Sequence, residues 1–184
     1  MYEVKVTIQG TVPIKFNKMS EEDIELMDKG QRRKKDHAKE LVKWKAKIPQ
    51  DSKGYFIDSP MIRASVINGL VSPVPLVSNK IKMNKPRAKA TIFVSPFNCY
   101  IDGKPDKEPD VTVTQNKNAI GNPSVVVRRP IIREWKVTFD LQVMDDYLTE
   151  EVLREGVERA GRSHGIGSHR PDFGRFEIVG WQKL

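Results

Sequence analysis

Strict alternation of apolar and polar side chains in residues 134–143 constrains the fold more than any other feature of this sequence. The apolar members of the segment are Trp135, Val137, Phe139, Leu141 and Val143. Successive side chains of a β-strand point to opposite faces, so this pattern predicts a strand with one buried face. Residues 2–8 show the same period, with every second side chain apolar. The chain is therefore expected to build a sheet with one apolar and one polar face.

Two segments with helical spacing are expected to cover that apolar face. Residues 59–71 and 149–161 each place apolar side chains on one stripe, and in the second segment Thr149 is suited to cap the start and Gly161 to end the helix. Two further strands are predicted, at residues 89–97 and 176–181. The strand at residues 89–97 is too apolar to be expected at the edge of the sheet. The order predicts an α+β, ferredoxin-like (RNA-recognition-type) βαββαβ fold, with four antiparallel strands and both helices on one face.

The chain length of 184 residues fits a single domain over residues 1–184. Two segments depart from the βαββαβ pattern. Residues 18–50 are predicted to form a basic, partly helical insertion, and residues 102–130 a loop or hairpin insertion with turn-forming clusters around the sequence VTVT.

Positive charge is concentrated in those excursions and in the connection after the first helix. The formal net charge is +8, with nine lysines and arginines against two acids in residues 29–47 and five against none in residues 79–89. A single basic run is usually a solvated face, but several on one small sheet favour a surface that follows a phosphate backbone. Trp44, within the first run, is interpreted as an anchor for that segment rather than as a base-stacking residue.

The segment SHGIGSHRPDFGRFEIVGW, residues 163–181, joins the second helix to the last strand with more glycines than a chain reversal needs. Glycines allow positive φ and let main-chain amides face a phosphate, while nearby arginines and histidines supply charge and planar donors. The alternative is a tight turn with solvated arginines.

With its preceding helix, this segment resembles the RAMP superfamily, the repeat-associated RNA-binding subunits of CRISPR effector complexes. In that family a helix beginning Leu-Thr-Glu-Glu leads into a glycine-hydrophobic-glycine loop that ends Gly-Arg-hydrophobic, as in LTEEVLREGVERAGRSHGIGSHRPDFGRFEI. DSPMIRASVINGLV is similar to the family's first helix, and the resemblance extends over residues 55–97 and 133–181. Gly165, Gly167, Gly174 and Arg175 match the family pattern, whereas Asp172 departs from it.

The resemblance implies a protein that binds single-stranded nucleic acid, RNA more than DNA, through its backbone, by the glycine loop and the basic insertions. It also implies self-association or a place as a repeated subunit of a ribonucleoprotein. The residues expected at the nucleic acid, on the resemblance and the basic stretches together, are Arg32, Arg33, Lys34, Lys35, Lys80, Lys82, Lys85, Arg87, Arg128, Arg129, Gly165, Gly167, His169, Arg170, Gly174 and Arg175.

Catalytic groups are few, with one cysteine, three histidines and no metal-ligand spacing, so no metal or cofactor is expected. Two alternatives remain open. One is metal-independent RNA cleavage, known in relatives of the same superfamily, with His37, His164 or His169 moving the proton of the 2′-hydroxyl. The other is a solitary effector-subunit mimic that acts through protein contacts.

Location is inferred from the termini and the cysteine count. The N-terminal segment MYEVKVTIQG carries charges and lacks the features of a signal peptide, and the chain has no apolar run long enough to span a bilayer. The lone Cys99 can form no internal disulfide. We therefore expect a cytoplasmic protein without a membrane partner.

Overall fold

The computed structural model describes residues 1–19, 24–25, 28–29, 43–71, 83–115 and 124–184. Within these ranges the protein is a mixed α+β fold. Its strands are β1 Tyr2–Gly10, β2 Ile14–Lys15, β3 Gln50–Asp51, β4 Gly54–Asp58, β5 Ile92–Ser95, β6 Asn98–Asp102, β7 Asp110–Gln115, β8 Ser124–Arg129, β9 Ile131–Ile132, β10 Lys136–Val143 and β11 Phe176–Lys183. Its helices are α1 Ser59–Leu70, α2 Lys85–Thr91 and α3 Glu150–Ser163, with a short 3-10 helix at Trp44–Lys47.

The main sheet of the described residues has seven strands in the order β11-β1-β10-β6-β4-β3, with β5 also beside β10. The strand pairs are antiparallel. β1 and β10 lie in register along almost their whole length, with Val4 opposite Leu141 and Val6 opposite Phe139. Two smaller antiparallel pairs, β2 with β9 and β7 with β8, lie beside the main sheet.

Alternation correctly predicted β10 and its buried face. The five apolar side chains named above, from Trp135 to Val143, are at most 2% exposed. Together with the alternate side chains of β1 they form one continuous core with the apolar stripes of α1 and α3. The burial of one sheet face under two helices thus follows from periodicity alone.

The two long helices pack closely against each other because each has a glycine at the contact. A side chain at Gly69 would overlap the carbonyl oxygen of Gly156, and a side chain at Gly156 would overlap Leu70. The predicted cap of α3 is confirmed, since the Thr149 hydroxyl accepts a hydrogen bond from the amide of Val152 at 3.4 Å. α3 therefore begins where the sequence indicated, and its C-terminal end leads into the glycine loop.

The structure corrects the predicted sheet in three respects. Residues 89–91 end α2 rather than begin a strand, because Asn84 caps a helix there by accepting from the Arg87 amide at 2.9 Å. The expectation that this strand is not an edge is wrong, since β5 pairs only with β10 among the described strands. The sheet also gains β3, β4 and β6, which have no clear period in the sequence.

Two features lie outside the main sheet. In residues 102–130, where a loop or hairpin was expected, β7 and β8 pair as an antiparallel ribbon with Asp110 opposite Arg129. Trp44 is 6% exposed, which confirms its interpretation as an anchor.

Among the described helices, none has the length and hydrophobicity needed to cross a bilayer.

Candidate nucleic-acid interface

The glycine loop runs from the end of α3 to the start of β11, over residues 164–175. It turns sharply, and its three glycines and His169 have positive φ, with 88° at Gly167 and 75° at Gly174. A side chain at Gly174 would overlap the carbonyl oxygen of Ile166, and one at Gly167 would come within 2.6 Å of the carbonyl oxygen of Lys15. Both positions require glycine because of the protein's own main chain.

The amides of this loop are largely used inside the protein. Gly165 donates to the carbonyl oxygen of Ala160 at 2.8 Å, and Gly174 donates to that of Pro13 at 2.9 Å. The expectation that these two glycine amides face a phosphate is therefore wrong. Any phosphate contact at these points of the loop has to come from side chains.

Side chains of three separate segments converge beside the loop, and we call them the Arg129 cluster: Lys15, Asp110, Arg129, His169 and Phe173. The Lys15 ammonium lies 2.6 Å from the Asp110 carboxylate and 3.4 Å from the centre of the Phe173 ring. The loop is fixed to β2 by the amide of Ser168, which donates to the Lys15 carbonyl at 2.8 Å. The base of the β7–β8 ribbon and the glycine loop thus meet at Lys15.

Arg129 is the most unusual member of this cluster. Its side chain is 8% exposed, and neither Nε nor Nη1 has a hydrogen-bond partner in the described part of the chain. Burial lowers the pKa of its guanidinium, an effect that the charge of Asp110 opposes. An arginine with buried, unpaired donors is uncommon, because each such donor has lost its water without a replacement.

The two loop histidines that the structure describes lie in different surroundings. At His169, burial lowers the pKa, as do the charges of Arg129 and Lys15, against the opposing carboxylates of Asp110 and Asp172. At His164, burial and then Arg170 lower the pKa, and Nε2 is buried without a partner in the described residues. Both imidazoles therefore favour the neutral form, which can accept a proton.

The remaining loop cations are exposed. Arg170 and Arg175 have exposed side chains, as does Asp172, the acid at which the chain departs from the RAMP pattern. Arg162, in the last turn of α3 just before the loop, is exposed as well. Arg128 is half-buried next to Arg129, and its carbonyl oxygen accepts from the Lys47 ammonium at 3.0 Å. The exposed loop arginines and Arg128 thus add positive charge to the same chain segments that supply the Arg129 cluster.

The candidates on α2 lie elsewhere and have different environments. Lys85 is exposed, on a groove that α1 also lines. The Arg87 guanidinium forms two hydrogen bonds to the carboxylate of the buried Asp145, at 2.5 and 2.7 Å. This pair lowers the pKa of Asp145 and gives Arg87 a structural role.

Several candidates lie outside the described residues, and nothing is inferred about their placement. They are Arg32, Arg33, Lys34, Lys35, His37, Lys80 and Lys82.

Sequence reasoning missed Lys15 and Asp110. Lys15 is 4% exposed between two buried neighbours, Ile14 and Phe16, which makes it a charged residue inside an apolar strand. A lone lysine between two large apolar side chains is a signal that could have identified it, because buried lysines need a partner.

In the described ranges no group of three or more histidine, cysteine or acidic side chains is arranged to hold a metal ion.

A comparison of the chain with models of known protein families gave no match. A comparison with curated proteins gave no significant match either.

Proposed function

We propose that this protein binds single-stranded RNA along its phosphate backbone, as a RAMP-like protein with a ferredoxin-like core. On this proposal it acts in the cytoplasm, by itself or as a repeated subunit of a ribonucleoprotein. The fold supports the proposal through the positions of four strands. β11, β1, β10 and β5 lie side by side in that order, and α1 and α3 pack on one face, an arrangement consistent with the βαββαβ expectation.

The observation that carries the proposal is the convergence of two stretches that were singled out independently in the sequence. The glycine loop and the β7–β8 ribbon are separate in the chain, yet both contact Lys15. The loop does so through the Ser168 amide, and the ribbon through Asp110, which lies opposite Arg129. The glycine loop also carries two exposed arginines, Arg170 and Arg175. Positive charge on both of these stretches favours a polyanion, because each neutralised phosphate releases condensed counterions.

The open face of the sheet supports backbone contacts over base recognition. On the two central strands, the side chains directed away from the helices are Glu3, Lys5, Thr7, Gln9, Lys136, Thr138, Asp140 and Gln142. RNA-recognition sheets usually stack bases on aromatic side chains at such positions. Neither β1 nor β10 has an aromatic residue on this face. On the neighbouring β5 the exposed Phe93 lies opposite Gln142 and offers a single stacking position, so we expect only a weak dependence on RNA sequence.

The test is fluorescence anisotropy of a labelled single-stranded RNA at several salt concentrations. A double variant, Arg170→Gln with Arg175→Gln, removes two loop cations, and Arg154→Gln is the control. Arg154 is exposed on α3, whose C-terminal end rather than its middle meets the loop. Each phosphate contact contributes about −0.7 to the log–log salt slope for a single strand, so the double variant should lose about 1.4 and the control nothing.

Two results would contradict the proposal. Absence of RNA binding at low salt would refute RNA binding itself. An unchanged affinity and slope in the double variant would show that the loop arginines are solvated and do not contact RNA. A parallel titration with single-stranded DNA measures the preference for RNA.

RNA cleavage is a second candidate function, favoured by the two loop histidines with lowered pKa beside cations. A neutral imidazole can accept the 2′-hydroxyl proton, and a neighbouring arginine or lysine can stabilise the negative phosphorane. Running the RNA on a denaturing gel after the binding experiment tests this. Discrete products that disappear in His164→Gln or His169→Gln would establish it, and intact RNA would leave a binding protein.

A further inference from the structure

The buried guanidinium of Arg129 is a cation that the described protein does not satisfy. Its two unpaired nitrogens, Nε and Nη1, carry N–H groups that point from different edges of the planar group, and each can donate a charge-assisted hydrogen bond to an anionic oxygen. Asp110 lies directly across the strand pair from Arg129, but its oxygen Oδ2 accepts instead from Lys15 at 2.6 Å and from Thr112 at 3.0 Å. The only carboxylate of the cluster is therefore engaged by other donors.

The charges in the Arg129 cluster do not cancel. Lys15 and Arg129 are both at least nine-tenths buried, and Asp110 supplies one negative charge against their two positive charges. His169 on the glycine loop is close enough to both cations for its pKa to respond to them. The exposed Asp172 is the other acid that His169 senses. A surplus of buried positive charge, with free planar donors, fits an anionic ligand.

We propose that Arg129, Lys15 and His169 form a phosphate-binding pocket between the base of the β7–β8 ribbon and the glycine loop. Arg129 donates a charge-assisted hydrogen bond to a phosphate oxygen from an unpaired nitrogen, and Lys15 contributes charge from its position between Asp110 and Phe173. His169, the exposed member, closes the pocket from the loop. Low exposure strengthens each of these interactions, because little water competes for the ligand.

This inference rests on the proposed function for the source of the phosphate, which is then an internal phosphodiester of the RNA chain. The same donors would accept a 5′-terminal phosphate or a free phosphate ion. The chemistry of the pocket is common to all three sources, and the experiments below separate them.

A structural role and a ligand-binding role for Arg129 have opposite consequences for stability. If Arg129 only supports the fold, Arg129→Met should destabilise the protein. If Arg129 awaits an anion, Arg129→Met removes an uncompensated buried charge, so the free protein should be as stable as the wild type or more stable. The methionine side chain fills much of the same space without charge.

The first experiment measures melting temperature against inorganic phosphate, with chloride adjusted to hold ionic strength constant. The wild type should show a saturable rise, because a ligand that binds only the folded state stabilises it. Arg129→Met should weaken phosphate binding at least about tenfold, since it removes charge-assisted hydrogen bonds. Arg133→Met is the matched control, because Arg133 is two-thirds exposed and paired with Asp106, and it should respond like the wild type.

The proposal is overturned if phosphate does not raise the wild-type melting temperature at constant ionic strength, or if Arg129→Met shows the same rise. A large loss of stability in Arg129→Met without phosphate would also overturn it. If that variant does not fold, the Arg129 Nε–H resonance of the wild type takes its place. It should shift on addition of phosphate, and its failure to shift would refute the pocket.

Three ligands, two RNAs and free phosphate, identify the source and separate this inference from the proposed function. An RNA with a 5′-hydroxyl, the same RNA with a 5′-phosphate, and free phosphate are compared in the wild type and Arg129→Met. An Arg129-dependent gain on adding the 5′-phosphate indicates a terminal phosphate, and equal loss with both RNAs indicates an internal one. Phosphate binding without RNA binding would preserve the pocket and refute the function. RNA binding that Arg129→Met leaves unchanged would preserve the proposed function and refute the pocket as an RNA-binding site.

Discussion

Substitution of Gly174 by alanine is the most direct test of the conclusion that the loop glycines serve the protein's own main chain. At this position φ is 75°, and the added Cβ would overlap the carbonyl oxygen of Ile166. The left-handed conformation costs a residue with a side chain about 1–2 kcal/mol. Overpacking against main chain adds about 1–3 kcal/mol. We therefore expect Gly174→Ala to lower the free energy of unfolding by about 2–5 kcal/mol.

Gly54 provides the matched control for this substitution. It also has positive φ, 141°, but a Cβ there meets no atom within 4 Å. Both substitutions stiffen the unfolded chain similarly, so that effect cancels in their difference. Both positions also strain an alanine backbone, so the main difference between them is the overlap with Ile166, and Gly174→Ala should be the less stable by about 1–3 kcal/mol.

Urea unfolding measures both variants, with equal m values as the condition for comparing them. If Gly174→Ala is as stable as Gly54→Ala, the main-chain approach in the loop does not restrict position 174, and the reasoning fails. A glycine needed for ligand approach would instead give a stable variant with weakened RNA binding. Measuring RNA affinity on the folded variants distinguishes these two origins.

Three further predictions concern groups away from that glycine. Arg87→Gln should lower the melting temperature through loss of the pair with Asp145 while leaving RNA affinity unchanged; the reverse result would make Arg87 a binding residue. The free energy of unfolding should decrease as the pH is lowered from about 7.5 to about 5.5. In the unfolded chain His164 and His169 take up protons near pH 6.5, whereas in the folded protein their lowered pKa values oppose protonation. Replacing both histidines by glutamine should therefore flatten the profile of stability against pH. Cys99 is buried, with its pKa raised to about 12, so a thiol reagent should label it only as fast as the protein unfolds, and rapid labelling of the native protein would contradict its burial.

Periodicity made the centre of the fold predictable from the sequence. β10 has a clear period of two, and α3 has an amphipathic stripe that begins after the Thr149 cap. Both elements were predicted in nearly their observed positions. α2 was missed because a lysine- and proline-rich segment offers no apolar stripe. Its only signal is Asn84 followed by a proline at the start of the helix. Short strands such as β3 and β6 depend on their neighbours in the sheet, which no local pattern encodes.

The candidate interface could be predicted only in part, for a related reason. The glycine loop was recognisable from composition, but the structural demand on Gly174 comes from Ile166 and was not visible in the pattern. Arg129 was selected as one of several arginines, and its burial depends on the packing of the ribbon base against the loop. The partnership of Lys15 with Asp110 joins residues far apart in the chain, and only the tertiary structure brings them together.

The anchoring of the glycine loop also has a kinetic consequence. The loop is held at Gly165 by the hydroxyl of Ser65 in α1, at Gly174 by the carbonyl of Pro13, and at Ser168 by the carbonyl of Lys15. These partners come from distant parts of the chain, so the contacts can form only after the sheet and both long helices have docked. Contacts absent from the folding transition state act on the unfolding rate. Changes in this loop should thus shorten the lifetime of the native protein while leaving the speed of its formation almost unchanged.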